Sequence, residues 1–137
     1  MTKREISTKV AWAMLNRPYR WGGDDPLAGW DCSGLCIEIL RAVGIFPRQG
    51  DATAASLEKM YPVVPTPHEG CLAFWAGSDG HINHVAYMLD GEHCIEAGGG
   101  GSTTTTEDAA IEQNAYVRVR TVASRPRLVG YCDPFSV

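Results

Sequence analysis

The hydrophobic pattern changes its period at three prolines, Pro62, Pro65 and Pro67, and this change limits the folds open to the chain. Before the prolines, apolar side chains recur at helical spacing in residues 3–17, residues 32–43 are apolar almost all round, and residues 51–60 predict a short third helix. After them, segments rich in β-branched and aromatic residues predict short strands at residues 71–75, 84–89, 92–97 and 116–122. Helices followed by strands predict an α+β domain whose helices pack on an antiparallel sheet.

Composition and charge exclude several classes of protein. A chain of 137 residues is long enough for one domain with a hydrophobic core, so we expect a single domain over residues 1–137. The net charge of -4, without a basic cluster, argues against nucleic acid as a partner. No long apolar run predicts a membrane span. The charged first residues do not resemble a secretory signal, which predicts synthesis in the cytoplasm.

The chain has five cysteines, an odd number without the spacing of a disulfide framework, so free thiols are expected. Cys36, Cys71 and Cys94 have the surroundings of buried core residues. Cys32 differs, because Asp, Ser and Gly surround it where a core position would have apolar neighbours. If Asp31 caps the following helix, Cys32 occupies its first position, where the positive end of the helix dipole favours a thiolate.

A thiol nucleophile needs a base, and the four histidines are the candidates. His68 follows the proline-rich connection and His81 lies in a loop, so both are expected to face solvent. His84 opens a predicted strand, and the alternation of that strand gives its side chain a defined direction. We expect His93 to be half-exposed on the opposite face of the sheet.

The turn after this strand decides which residue lies opposite His84. A two-residue loop at residues 90–91 would put Glu96 on the other face of the sheet. A three-residue loop at residues 89–91, with Gly91 in the left-handed conformation, would pair Glu96 with His84. We favour the second geometry, because it gives a partly buried carboxylate an imidazole to orient.

Six segments also follow one another in the order and spacing of a known family. They are residues 19–23 (YRWGG), 29–35 (GWDCSGL), 46–48 (FPR), 70–75 (GCLAFW), 84–87 (HVAY) and 95–97 (IEA). This combination resembles the NlpC-type cell-wall peptidases, the bacterial branch of the papain-like thiol hydrolases. The resemblance implies one catalytic domain, in which a buried helix bearing the nucleophile packs on an antiparallel sheet of about four to six strands.

The resemblance also implies catalytic roles at matching positions. Cys32 matches the nucleophile and His84 the base. Glu96 stands where the family has a polar residue that orients the base, and a carboxylate can accept the imidazole N–H. Tyr19 matches a tyrosine whose hydroxyl helps the backbone N–H of Cys32 to hold the oxyanion.

Other positions match the walls of the family's cleft. Asp31 and Ser33 match residues that hold the amino end of the substrate. Trp30 is a candidate substrate contact, or else an aromatic residue of the wall or core. The glycine-rich residues 98–106 are either a lid over the cleft or a linker.

By resemblance, the substrate is a stem peptide of bacterial peptidoglycan, cleaved between a D-γ-glutamyl group and a diamino acid. Cleavage between N-acetylmuramic acid and L-alanine is the alternative. Relatives without a leader are associated with phage tails or secretion machines, whose proteins are then the expected partners in reaching the cell wall. Two other hypotheses are a non-catalytic tail component and a zinc site; the chain lacks CxxC and HxxxH pairs, so we expect no metal or cofactor.

Overall fold

The structure, a computed structural model, describes residues 1–17, 24–25, 29–98, 106–113 and 115–136. Its helices are α1 (Lys3–Ala13), α2 (Cys32–Ala42), α3 (Ala54–Met60) and α4 (Glu107–Glu112). Its strands are β1 (Asp24–Asp25), β2 (Gly29–Trp30), β3 (Val63–Val64), β4 (Leu72–Ala76), β5 (Ile82–Met88), β6 (His93–Gly98), β7 (Tyr116–Thr121) and β8 (Leu128–Cys132). A single 3-10 turn, Val122–Ser124, follows β7.

Six of the strands form one antiparallel sheet in the order β3-β8-β4-β5-β6-β7, and β1 pairs with β2 in a separate ribbon. This architecture confirms the predicted α+β class and the antiparallel sheet of about four to six strands. The sequence pattern missed α4 and the strands β1, β2, β3 and β8. The two-residue strand β3 lies between Pro62 and Pro65 and forms an edge of the sheet. Proline lacks a backbone N–H, and an edge position tolerates this because one side of the strand has no partner strand.

The helices begin at the caps that the sequence predicts. Thr2 and Glu5 form a reciprocal capping box at the start of α1. Asp31 caps α2 by accepting a hydrogen bond from the backbone N–H of Gly34. The chain leaves α2 through Gly44, whose φ of 77° is in the left-handed region that glycine tolerates. No described helix has both the length and the apolar character that a membrane span requires.

The sheet separates two apolar clusters. The larger cluster lies between the helices and one face of the sheet, where α2 buries Leu35, Ile39 and Leu40 completely. The smaller cluster lies on the other face and consists of Cys71, Ala73, Trp75, Ala86, Met88 and Cys94. The alternation of β5 therefore directs Val85 and Tyr87 towards the helices and Ala86 and Met88 away from them.

The hairpin between β5 and β6 differs from both turns considered for the sequence. Met88 pairs with Cys94, and the N–H of Leu89 donates to the carbonyl of His93 at 2.8 Å. The carboxylate of Asp90 accepts hydrogen bonds from the N–H groups of Glu92 and His93, and this Asx turn moves the loop one residue along the chain.

The predicted pairing of His84 with Glu96 is therefore wrong by two positions. Counting on from the observed register places Gly98 across from His84. A shift of two residues keeps each side chain on its face, because side chains alternate with a period of two. Glu96 consequently shares a face with His84 and lies diagonally across from it.

A partly buried ion pair joins α1 to the segment after β8. Asp133, 3% exposed, follows β8 and receives both terminal nitrogens of the Arg4 guanidinium at 3.1 Å. The same carboxylate contacts His68 Nε2 at 2.9 Å and accepts the N–H of Phe135. These contacts hold α1 beside the sheet that carries the site.

We predict that Asp133→Ala lowers the free energy of unfolding by about 2–4 kcal/mol, because it leaves a partly buried guanidinium without its partner. Urea unfolding monitored by circular dichroism measures this loss. Asp79→Ala is the matched control, since Asp79 pairs with His81 on the surface and its loss leaves stability nearly unchanged. Equal losses in the two variants would contradict the structural role of the Arg4–Asp133 pair.

Candidate active site

Cys32 lies at the first position of α2, directly after the Asp31 cap. Its thiol donates to the backbone carbonyl of Asn83 at 3.9 Å, and the backbone N–H of Val85 also interacts with the sulfur. Asn83 and Val85 are the two neighbours of His84 in β5. The fold therefore places the sulfur against the short stretch of backbone that carries the histidine.

The protonation of Cys32 differs from the sequence prediction. Desolvation, followed by the charge of Asp31, raises the pKa of the thiol to about 11. The backbone N–H groups of Ser33 and Cys32 at the helix N-terminus lower this pKa, as does that of Val85 in β5, but burial outweighs them. At neutral pH the resting thiol is protonated, so a base must remove its proton before it can act as a nucleophile.

His84 is 8% exposed and is held between an aromatic ring and a carboxylate. Its ring centroid lies 5.4 Å from that of Trp75, its cross-strand neighbour on β4. Nε2 lies 2.8 Å from Oε2 of Glu96. Among the described residues this nitrogen has no partner that meets the geometry of a hydrogen bond. Because Nε2 faces the carboxylate, Nδ1 is the ring nitrogen that points away from Glu96.

Burial also determines the charge of His84. Desolvation lowers the pKa of the imidazole from its ordinary value of 6.5, while contact with the Glu96 carboxylate works in the opposite direction. The resting ring is therefore neutral at pH 7 and able to accept a proton. A neutral imidazole is the form that can act as a general base.

Glu96 is the buried negative charge behind the histidine. It is 2% exposed, and burial alone would raise its pKa. The contact with His84 and the charges of Arg125 and Arg118 outweigh burial, and they lower the pKa of Glu96 to about 2. The carboxylate is ionised throughout the physiological pH range.

Gly98 provides the space for the diagonal contact between Glu96 and His84. A Cβ atom at this position would lie 2.6 Å from Oε2 of Glu96 and 3.0 Å from a terminal nitrogen of Arg118. No real Cβ atom is found this close to an oxygen, so a side chain at Gly98 would displace the carboxylate or the guanidinium. Because glycine has only a hydrogen in place of a Cβ atom, the Glu96 side chain can extend over Gly98 to the imidazole of His84.

Three arginines surround Glu96, and sequence reasoning missed them. Arg125 donates to Oε2 at 2.9 Å, Nε of Arg120 lies 3.8 Å from Oε1, and Arg118 pairs with Glu96 across β6 and β7. The signal was present in the segment YVRVRT, since its alternation places two arginines on one face of a strand.

The predicted substrate-binding residues Asp31 and Ser33 lie beside Cys32. Besides capping α2, Asp31 accepts a hydrogen bond from the Ser33 hydroxyl at 3.2 Å. Trp30 belongs to β2, but its side chain lies outside the described part of the structure. Tyr19 and the proposed lid or linker at residues 99–105 also lie outside the described residues.

The remaining cysteines and histidines have the surroundings that the sequence predicts. Cys36, Cys71 and Cys94 are fully buried, and all five cysteines of the chain are free thiols. The side chains of His68 and His81 are 47% and 87% exposed. That of His93 is half-exposed at 45%, in contact with Asp90.

One group in the described part of the chain has the residue types of a metal site. Potential ligand atoms of His68, Cys71 and Asp133 lie within 4.8 Å of one another. The Arg4 guanidinium already pairs with Asp133, and burial raises the pKa of the Cys71 thiol. Both features oppose a cation, so this group is an ion-pair network and not a metal centre.

A cysteine at the start of a buried helix, packed beside an antiparallel sheet that carries a histidine, defines the papain-like class of fold. Residues 16–121 match the NlpC/P60 family. Because this match covers most of the chain, the protein belongs to the NlpC/P60 family, in agreement with the resemblance of its motifs.

Two curated proteins are similar to part of the chain. Protein P54 of Enterococcus faecium is 34% identical over 94 residues, which are 64% of this chain and 16% of P54. Dipeptidyl-peptidase 6 of Lysinibacillus sphaericus is 35% identical over 92 residues, which are 63% of this chain and 29% of that enzyme. The chain thus spans less than a third of the length of either relative.

Solved structures share the fold over nearly the whole chain. The NlpC/P60 domain of the peptidoglycan hydrolase SagA is 25% identical with a TM-score of 0.71, over 95% of this chain and 97% of that domain. RipD of Mycobacterium tuberculosis, described as a non-catalytic NlpC/P60 protein, is 18% identical with a TM-score of 0.68, over 96% of this chain and 95% of RipD. The fold is therefore compatible with both enzymatic and non-enzymatic roles.

We predict that Gly98→Ala separates Glu96 from His84 and lowers the pKa of the imidazole further, because the carboxylate that raises it moves away. Titration of the His84 ring signals by NMR measures the shift. Gly91→Ala is the control, since its Cβ would meet no atom nearer than 3.6 Å. An unchanged pKa of His84 in Gly98→Ala would show that the glycine does not maintain this contact.

Glu96 also makes stability depend on pH. Its pKa of about 2 in the folded protein lies below the ordinary 4.5, so the unfolded chain binds more protons between these values and stability rises with pH across this window. We expect this contribution, about 3 kcal/mol, to be present above pH 4.5 and lost as the pH falls towards 2. Unfolding measured from pH 2.5 to 5.5 should show a steeper dependence in the native chain than in Glu96→Gln. The variant keeps the contributions of Asp79, Asp90 and Asp133, whose pKa values are also lowered.

Proposed function

We propose that the protein is a cysteine peptidase that hydrolyses stem peptides of bacterial peptidoglycan. The observation that carries the proposal is the placement of the Cys32 thiol against residues 83–85, with the intervening His84 held by an ionised carboxylate. Membership of the NlpC/P60 family and similarity to a dipeptidyl-peptidase and a peptidoglycan hydrolase support this assignment. The proposed bond joins a D-γ-glutamyl group to a diamino acid.

In the proposed mechanism, neutral His84 takes the proton of Cys32 as the sulfur attacks the peptide carbonyl. The backbone N–H of Cys32 and the hydroxyl of Tyr19 hold the oxyanion. His84 then gives its proton to the leaving amine, and the acyl group remains on the sulfur. Water activated by His84 releases the acyl group and restores the thiol.

Glu96 supports this mechanism through charge. When His84 accepts the thiol proton, the imidazolium forms 2.8 Å from an ionised carboxylate in a site with little solvent. The pair is strongest in this state, because the new positive charge meets a fixed negative charge. Glu96 therefore acts as the orienting residue and stabilises the imidazolium without becoming protonated itself.

Asp31 and Ser33 provide a polar wall beside the nucleophile. The Asp31 carboxylate interacts with the thiol strongly enough to raise its pKa, so it lies close to the reacting atoms. We assign it the role of receiving a substrate ammonium group, with Ser33 orienting the carboxylate through its hydroxyl. Trp30 is a further candidate substrate contact. The proposed place of action is the cell wall, with phage tail or secretion-machine proteins as candidate carriers.

A non-catalytic peptidoglycan-binding role is the second candidate, because RipD combines the same fold with that role. The geometry of the histidine favours the enzyme. A binding protein gains nothing from a desolvated imidazole whose Nε2 faces a buried, ionised carboxylate. Cleavage of a muropeptide separates the two candidates.

We predict that the purified chain cleaves muropeptides and that Cys32→Ala abolishes cleavage, because the Cys32 sulfur is the thiol that contacts the backbone next to His84. Mass spectrometry of the products identifies the bond and distinguishes the endopeptidase from an amidase acting at N-acetylmuramic acid. Cys132→Ala is the control, since it removes one fully buried sulfur from β8 and should leave cleavage intact. Cleavage that persists in Cys32→Ala would overturn the assignment of the nucleophile.

A further inference from the structure

The arginines behind His84 carry more positive charge than Glu96 neutralises. Arg118 and Arg120 come from β7, and Arg125 follows the 3-10 turn after it. Three guanidinium groups thus share one carboxylate, in a chain whose net charge is -4. A structural role in neutralising Glu96 would require one arginine.

Part of this charge faces solvent. The side chains of Arg120 and Arg125 are 35% and 34% exposed, whereas that of Glu96 is 3% exposed. Two further donors next to them, Nε of Arg118 and Nε1 of the 2% exposed Trp75, have no hydrogen-bond partner in the described part of the chain. The region offers hydrogen-bond donors in excess of acceptors, which suits an anionic ligand.

The position of these arginines relates them to one side of the scissile bond. This step rests on the proposed function, in which His84 gives its proton to the leaving amine. The substrate group attached to that amine therefore lies next to the residues that surround His84. These are the ring of Trp75, 5.4 Å away between centroids, and the Arg125 guanidinium, 6.0 Å from the centre of the same Trp75 ring.

We propose that Arg120 and Arg125, with Arg118 behind them, form a subsite for a carboxylate on the leaving part of the substrate. Guanidinium groups bind carboxylates through two parallel hydrogen bonds. Each arginine has more N–H groups than its contact with Glu96 uses, so a substrate carboxylate can replace water on the others while that contact is kept. The favoured leaving group is a diamino acid that carries a second, free carboxylate. Lysine at the same position lacks the recognised group.

Two stem peptides that differ by one carboxylate test this subsite. In one the residue after the D-γ-glutamyl group is diaminopimelic acid and in the other it is lysine, and the α-carboxyl group of this residue is amidated in both. We expect kcat/KM to be at least about tenfold higher for the diaminopimelic acid peptide, since hydrogen bonds between charged partners are strong. Arg120→Gln should reduce this ratio towards one, and Arg120→Lys should restore part of it.

Lys9→Gln is the matched control for charge, because it removes one positive charge from the exposed surface of α1. It should leave the ratio as in the native chain. Equal kcat/KM values for the two peptides in the native chain, or a ratio unaffected by Arg120→Gln, would overturn the subsite while leaving the proposed peptidase activity in place.

Absence of cleavage of both peptides would count against the proposed function. A binding measurement still tests whether the carboxylate subsite exists in that case. Isothermal titration of the Cys32→Ala variant with the two intact peptides measures their affinities without turnover. We expect tighter binding of the diaminopimelic acid peptide, with the difference lost when Arg120→Gln is added. Equal binding of both peptides to Cys32→Ala would reject the subsite independently of any cleavage result.

Discussion

Glu96 is one buried negative charge in contact with a histidine and an arginine, with two more arginines nearby. Taking a carboxylate out of water is expensive, so this charge persists only because the surrounding cations repay its desolvation. The histidine gains a fixed orientation from the arrangement, and the arginines gain a fixed position. The geometry of the site on the sheet therefore follows from the burial of this one group.

Much of the fold could be predicted from local signals in the sequence. The capping box at Thr2, the cap at Asp31 and the left-handed Gly44 mark helix ends through backbone hydrogen bonds that depend on single residues. The strand β8 could not be predicted in this way, because it is five residues long and contains Gly130. Its place between β3 and β4 depends on tertiary pairing.

The site shows the same division between local and tertiary effects. The preference for a three-residue loop over a two-residue loop put His84 and Glu96 on one face, although the Asp90 side chain moved that loop along the chain. The protonation of Cys32 could not be predicted, since the helix terminus is a local effect whereas desolvation depends on everything packed around the sulfur. The family match agrees with the motifs that the sequence shows. These motifs are short, and those that contain Cys32, His84 and Glu96 lie in or directly beside the helix or strand that positions these residues.

The unequal burial of the five thiols has a chemical consequence. Four sulfurs belong to fully buried residues, Cys36, Cys71, Cys94 and Cys132, while Cys32 is only partly enclosed. A thiol-specific alkylating reagent therefore finds one accessible position in each folded chain and five in each unfolded chain. The mass added to the protein reports how many molecules in a preparation are correctly folded, and in the folded ones it marks Cys32.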